Sequence, residues 1–272
     1  MAEITAALVS QLRDATNLPM MKCKQALTAS NGDVKLAVEW LRKQGISATG
    51  KFAGRETPNG AIGMAIGANA GVLVLVGCQT DFVGSNDVFK AFVQKLADLA
   101  LATGVDSVDA LNAQKIDGQA MTEVFAGQIQ KIGENIKLVG VKRVSAPAVA
   151  GYNHAGRIGA LVAGSGEAGK LKQVALHVAS ANPAPVALAR ADVDQALVDK
   201  EREIISSTPE VQAKPEAMRP KIVEGKLGRF FKEQVLLEQE MMFDAEKGES
   251  VEKYAKRVAI TVTAYARLQV GA

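Results

Sequence analysis

The sequence is poor in cysteine, histidine and aromatic side chains, and each shortage excludes something. Two cysteines occur, Cys23 and Cys78, in separate segments, with no CxxC pair and no histidine nearby. That pattern speaks against a disulfide scaffold or a thiolate metal site and fits a reducing compartment. The two histidines, His154 and His177, are too few for a metal cluster, and neither stands beside a serine or cysteine nucleophile with an orienting carboxylate. No acyl-transfer apparatus is visible, so no catalytic residue, metal ligand or cofactor is assigned. Aromatic residues are 4% of the chain against 48% hydrophobic residues overall, so the core must be aliphatic and alanine-rich, which favours helices. An excess of one charge is also missing. Lys and Arg number 32 against 29 Asp and Glu, with the signs interleaved. That describes a solvated surface, not the basic stripe of a nucleic-acid binder. The opening "MAEITAALVSQLRD" has no basic region followed by an apolar run, so no signal peptide and a cytoplasmic location are expected.

One segment lacks charge altogether. Residues 57–80 are long enough to span a bilayer, and Gly63, Gly67 and Gly71 have the spacing of membrane helix pairs. Pro58, Asn59, Asn69 and Gln79 interrupt the run, however, and Gly-Ala-Asn-Ala-Gly reads as a turn. The expectation is a β-hairpin of residues 61–66 and 72–78 in a globular core. Val72, Val74 and Val76 alternate with Leu73 and Leu75, so the second strand should be covered on both faces.

Before this hairpin, residues 1–45 read as three short helices. Ile4, Leu8 and Leu12 share a face, Pro19 starts the second helix, and Asp33 caps the third. Met20 and Met21 are adjacent, so on a helix they point about 100° apart. A thin bundle can hardly bury both, and an exposed Met suits an adaptable contact surface. Residues 46–59 look like a linker. The first core half, 60–146, continues with a helix from Asp87, a helix over 121–133 and a strand over 136–144. The second half, 147–193 and 244–272, repeats the pattern faintly: "RIGALVAG" parallels "GAIGMAIG", and the helix that follows has matching periodicity. Residues 194–243 are charged and helical and fit an inserted antiparallel hairpin, whose apolar face is Leu227, Phe230, Phe231, Val235, Leu236 and Leu237. The fold class is α+β, with antiparallel sheets.

Two motifs compete for function. "GSGEAGKL", residues 164–171, matches the G-x-x-x-x-G-K of a phosphate-binding loop between a strand and a helix. Leu171 stands where Ser or Thr should hold Mg²⁺. The other motif is "CQTDFVGSNDVF", residues 78–89. It places Asp81, which favours water, beside Phe82, which favours burial, at the tip of a turn. The second half has no Asp-Phe counterpart, so the fold does not require it and a partner is the natural recipient. A non-catalytic docking scaffold is the third reading.

"LRDATNLPMMKCKQAL" (residues 12–27) and "CQTDFVGSNDVF" together resemble the elongation factor Ts family, the guanine-nucleotide exchange factors of elongation factor Tu. "KIGENIKL", "HAGRIGALV", "ALHVASANP" and "KIVEGKLGRFF" extend the likeness in order along nearly the whole chain. The resemblance implies a ubiquitin-associated-like three-helix module, a two-half core and an inserted helical hairpin. It implies that Thr80, Asp81, Phe82 and Val83 intrude on the GTPase, with Phe82 as a wedge near the Mg²⁺ site and Asp81 disturbing the groups around the ion. Arg13, Met20, Met21 and Lys24 would meet the GTPase domain, and His154 and His177 the partner's third domain. The protein would make and break no covalent bond and would contact neither nucleic acid nor membrane, while the hairpin offers a face to a second copy. The chain departs from the family at Asn17-Leu18-Pro19, which replaces a glycine-containing turn, and at Lys22, where an acid is usual. Gly84 replaces a common Ala, which is expected to loosen the turn. The chain ends at Ala272, where relatives often continue into a further helix.

Overall fold

Pro19 and Asp33 divide the N-terminal segment of the computed structural model, which describes residues 4–16, 18–43, 52 and 54–272. Helix α1 (Ala6–Thr16) ends before Pro19, the N-cap of α2 (Met20–Ala29), and α3 (Val34–Lys43) follows. Asp33 Oδ1 accepts the amides of Lys35 and Leu36 at 2.8 and 3.0 Å, satisfying donors that the first turn of α3 leaves free. Leu12, Cys23, Leu27, Ala37 and Leu41 form the centre of this bundle.

The uncharged segment folds as two strands, β1 (Asn59–Ile66) and β2 (Ala70–Cys78), not as a helix. Among the described residues no helix is long and apolar enough to cross a membrane. Then come α4 (Asp81–Ser85), α5 (Asp87–Thr103), α6 (Val108–Asn112), a two-strand ribbon of β3 (Lys115–Ile116) and β4 (Gln119–Ala120), α7 (Met121–Ile132) and β5 (Ile136–Ser145). The second unit contains β6 (Ala148–His154), β7 (Ile158–Ser165) and α8 (Ala168–Ser180). Helices α9 (Gln195–Ser207), α10 (Pro209–Gln212) and α11 (Arg219–Gln234) intervene before α12 (Val251–Arg257) and β8 (Thr261–Gln269).

Both three-stranded sheets are antiparallel, in the orders β1-β2-β5 and β6-β7-β8. Each is a hairpin, a helix and a returning strand that pairs with the hairpin's second strand. Each returning pair also carries a register shift, at Leu75/Val76 in one sheet and Ala163/Gly164 in the other. The internal repeat is a repeated β-β-α-β topology, in which α8 does match α5, but the expected strand match is corrected: "RIGALVAG" forms the central strand β7, the counterpart of β2, whereas "GAIGMAIG" forms the edge strand β1.

The sheets pack face to face between helical layers. Val72, Val74 and Val76 meet Phe89, Val93 and Leu96 of α5. Leu73 and Leu75 point the other way, to Val149, Leu161 and Ala266 of the second sheet. That sheet's outer face is covered by α8 and α12 through Leu171, Val174, Val178 and Tyr254. The alternation that predicted a doubly covered strand thus separates two cores.

Strand β1 is a sheet edge, and its free groups are closed in three places. Gly60 receives the backbone of Gly84; a Cβ on Gly84 would lie 2.8 Å from the Gly60 carbonyl oxygen. The Ile62 amide donates to Gly156 O at 2.8 Å, and Asn153 Nδ2 donates to Ile62 O at 2.9 Å. Gln94 brackets Met64, with its Oε1 taking the amide and its Nε2 giving to the carbonyl. An edge treated this way offers no template to a foreign strand.

Four other expectations need correction. The turn at residues 81–85 is a short helix. Gly84 does not loosen it but lets it approach β1 more closely than a Cβ would allow. Half of the expected linker lies outside the described residues, but Phe52 within it is buried in the first core, with the Arg55 guanidinium 5.2 Å over its ring. The hairpin's apolar face stops earlier than expected. Val235 leaves the helix to bridge Ala187, and Leu236 belongs to the second sheet's core.

Leu161 is fully buried between the two sheets. Leu161→Ala should cost about 2–5 kcal/mol, read as a lower midpoint in chemical denaturation with an unchanged slope.

Candidate functional site

The Thr-Asp-Phe-Val segment leaves the end of β2, the most buried strand, and emerges into solvent within four residues. Phe82 is 84% exposed and Val88, at the start of α5, is 76% exposed, while Val83 tucks against the first core. Phe82, Val88, Phe89, Gln128 and Ile132 line a groove of about 470 Å³ beside the short helix. The Asp81 carboxylate is exposed and accepts the Phe82 amide at 3.0 Å.

Every polar group of Thr80 is engaged. Its hydroxyl caps α4 by accepting the Val83 amide at 3.3 Å and donates to Glu134 Oε1 at 2.7 Å. Its amide donates to Glu134 Oε2 at 3.1 Å, and its carbonyl accepts from Gly84 N and from Cys78 Sγ. Burial, followed by the nearby Glu134 carboxylate, pushes the Cys78 thiol up to about 11, so it stays a neutral donor. Asn86 caps α5 through the amides of Val88 and Phe89 and ends α4 in the same step. The Asp-Phe pair is therefore presented on a fixed support.

Sequence reasoning missed Glu134, Asn86 and Val88. Glu134 stands 54 positions from Thr80, beyond any local pattern, although an acid just past the Gly133 helix end and before a strand is a signal that could have raised it.

The other predicted residues fall in different places. Arg13 is exposed in the last turn of α1. Met20 and Met21 are 55% and 67% exposed in the first turn of α2, and Lys24 is exposed one turn on. The structure therefore gathers these four around the α1–α2 corner. His154 is exposed at the end of β6, with Nδ1 2.9 Å from the Tyr152 hydroxyl. His177 is not on the surface. It is 1% exposed, and its expected direct contact with a partner is corrected to a structural one. Its Nδ1 lies 3.3 Å from the Met242 amide, which can only donate, so Nε2 carries the proton and gives it to Gln239 Oε1 at 3.1 Å. Gln239 in turn donates to Pro183 O and Glu233 O. His177 thus ties α8 to the base of the helical hairpin.

The phosphate-loop reading does not survive. Gly164 lies within β7, against the backbone of Thr261. Gly166 takes φ +103°, which only glycine tolerates readily, and packs against Ala259 O. Lys170 Nζ is committed to Asp244 at 2.8 Å, and that bond holds the Asp244 carboxyl below its usual range. Leu171 is fully buried. The glycines serve close packing, and the lysine is already paired.

Comparison with known proteins fits this geometry. The profile of the family described as Elongation factor TS matches residues 79–272, beginning one residue before Thr80. Elongation factor Ts of Nitrobacter hamburgensis is 40% identical across 289 aligned positions, which cover all of this chain and 93% of that relative. The corresponding protein of Paracoccus denitrificans is 37% identical, over 98% of this chain and 92% of its own length. That of Rhodopseudomonas palustris is 41% identical, over all of this chain and 93% of its own. A duplicated α+β core with this ancestry is that of a translation elongation factor. The chain belongs to the elongation factor Ts family.

Burial lowers the His177 pKa from its ordinary 6.5, so the unfolded chain binds a proton that the folded one resists. Stability is full above about pH 6.5 and is lost as pH falls toward the lower folded value. The thermal midpoint should drop between about pH 7.5 and 5.5, and drop less in His177→Gln, whose amide keeps a donor and an acceptor but does not titrate.

Proposed function

We propose that this protein binds the GDP form of elongation factor Tu and speeds GDP release by disturbing the partner's Mg²⁺ site with Thr80, Asp81, Phe82 and Val83. One observation carries the reading: a phenylalanine 84% exposed on a helix fixed at both ends. The fold supplies a control within the same chain. The equivalent β7-to-α8 connection holds Gly166 and Glu167, with no aromatic and no helix. The Asp-Phe element is therefore surplus to the β-β-α-β architecture.

The chemistry follows from charge. Mg²⁺ offsets the diphosphate's negative charge, so a protein that shifts the ion's ligands weakens GDP binding. Burial of the Phe82 ring drives the intrusion and is worth roughly 1.5–3 kcal/mol. Coupling is reciprocal, so GDP weakens the complex as much as the complex weakens GDP. No covalent bond changes, and the factor does not choose GTP over GDP.

The rest of the chain divides the task. Residues 1–45 dock through Arg13, Met20, Met21 and Lys24. The core halves, 60–146 and 147–193 with 244–272, hold the intruding helix and His154, and the hairpin 194–243 is an insertion.

Release of fluorescent GDP from Tu tests this reading. Phe82→Ala should lower the rate constant for release by roughly tenfold to a hundredfold, the kinetic equivalent of the lost burial, while complex formation largely persists. An unchanged rate would leave only the docking-scaffold reading. Replacing Met20 and Met21 together by Glu should weaken association by at least tenfold in a titration. The thermal midpoint should hold, because both side chains already face water.

A further inference from the structure

Helix α4 spans five residues, Asp81–Ser85, too few to be stable by themselves. Short helices of this kind often close their first turn with a capping box. The N-cap hydroxyl takes the amide three residues on, and an acid at that third position takes the N-cap's own amide. Here the N-cap is Thr80 and its hydroxyl does take the Val83 amide. The third position is Val83 itself, turned into the core, so the chain has no local acid to return the bond.

Glu134 supplies it from 54 residues away. One carboxylate oxygen receives the Thr80 amide and the other the Thr80 hydroxyl proton. The second bond decides the first turn. A threonine hydroxyl has one proton and two lone pairs. With its proton held by Glu134 Oε1, the hydroxyl must present a lone pair to Val83. Glu134 thus fixes Thr80 as an acceptor, and with it the direction in which α4 starts and Phe82 points. The carboxylate sits between α7 and β5, with both of its oxygens engaged by Thr80.

We infer that Glu134 is a positioning residue for exchange: it closes the capping box of α4 in trans and keeps Phe82 at the angle from which it enters the partner. This rests on the proposed exchange function, and it adds a residue that touches neither nucleotide nor metal. A positioning residue acts on the productive geometry after encounter. Its loss should therefore lower the maximal rate of GDP release and leave the half-saturating concentration of the factor nearly unchanged. The docking corner around Met20 and Met21 is untouched by it.

Glu134→Ala, Glu134→Gln and Thr80→Val test the inference beside Phe82→Ala. Glu134→Gln has one acceptor oxygen and can take either the Thr80 amide or the hydroxyl proton but not both, so it should recover only part of the rate, whereas Glu134→Ala should lose about tenfold. Glu134→Ala combined with Thr80→Val should be little worse than either alone, because both break one unit. A readout without partner separates the two claims. Amide hydrogen exchange of Phe82–Ser85 in the free protein should speed several-fold in Glu134→Ala and by less in Glu134→Gln. Unchanged protection in Glu134→Ala would overturn the positioning role whatever the rates do. So would full release activity in Glu134→Ala while Phe82→Ala is defective. If wild type and Phe82→Ala release GDP equally, the exchange reading falls, and the role of Glu134 in it falls too, even where protection changes as expected.

Discussion

An aromatic ring held in water gains nothing by staying there, so its position has to be imposed by what surrounds its backbone. Phe82 sits on a helix of five residues, and a helix that short cannot hold a direction unaided. Thr80 and Glu134 fix its start, Asn86 ends it, Val83 anchors its inner side and Gly84 lies against Gly60. Each of these contacts orders backbone before any partner arrives. Entropy that would otherwise be lost on association is lost during folding, which is how a small rigid element can bind usefully.

The support reaches deep into the core. Strand β2, from which the segment emerges, is buried on both faces by two different clusters. Its valines face helices and its leucines face the other sheet. The tip is thus connected to the part of the molecule least able to move, and the ring's exposure coexists with a fixed backbone. His177 plays a related role elsewhere: its two ring nitrogens join α8 to the hairpin base, so a polar group in a core specifies geometry there.

The architecture was largely legible in the sequence because its signals are periodic. Alternating Val and Leu in β2, the apolar stripe of α5 and the capping Asp33 each announce an element through neighbours in the chain. Strand β6 was not announced; Ala148, Ala150 and Gly151 give it little β-branched or aromatic character. The five residues of helix α4 hold no helical period, so the local sequence shows only a turn there. The site was half legible. Asp81 and Phe82 stand out by chemical contrast, but the partnership of Thr80 with Glu134 is a tertiary fact that no local spacing encodes. His177 was misplaced for the opposite reason: a histidine in an apolar helix looks alike whether its polar partner, here Gln239, sits inside the protein or outside it.

The seat of Gly84 on Gly60 has an experimental consequence. The segment that carries Phe82 also shields the exposed margin of β1 at Gly60. Excising residues 81–85 would uncover a run of unpaired backbone, and the truncated protein would gather into oligomers visible as concentration-dependent light scattering. Inactivity in such a deletion would report stickiness as much as a missing ring. Side-chain replacement is therefore the sound way to question this segment, since it leaves the margin sealed.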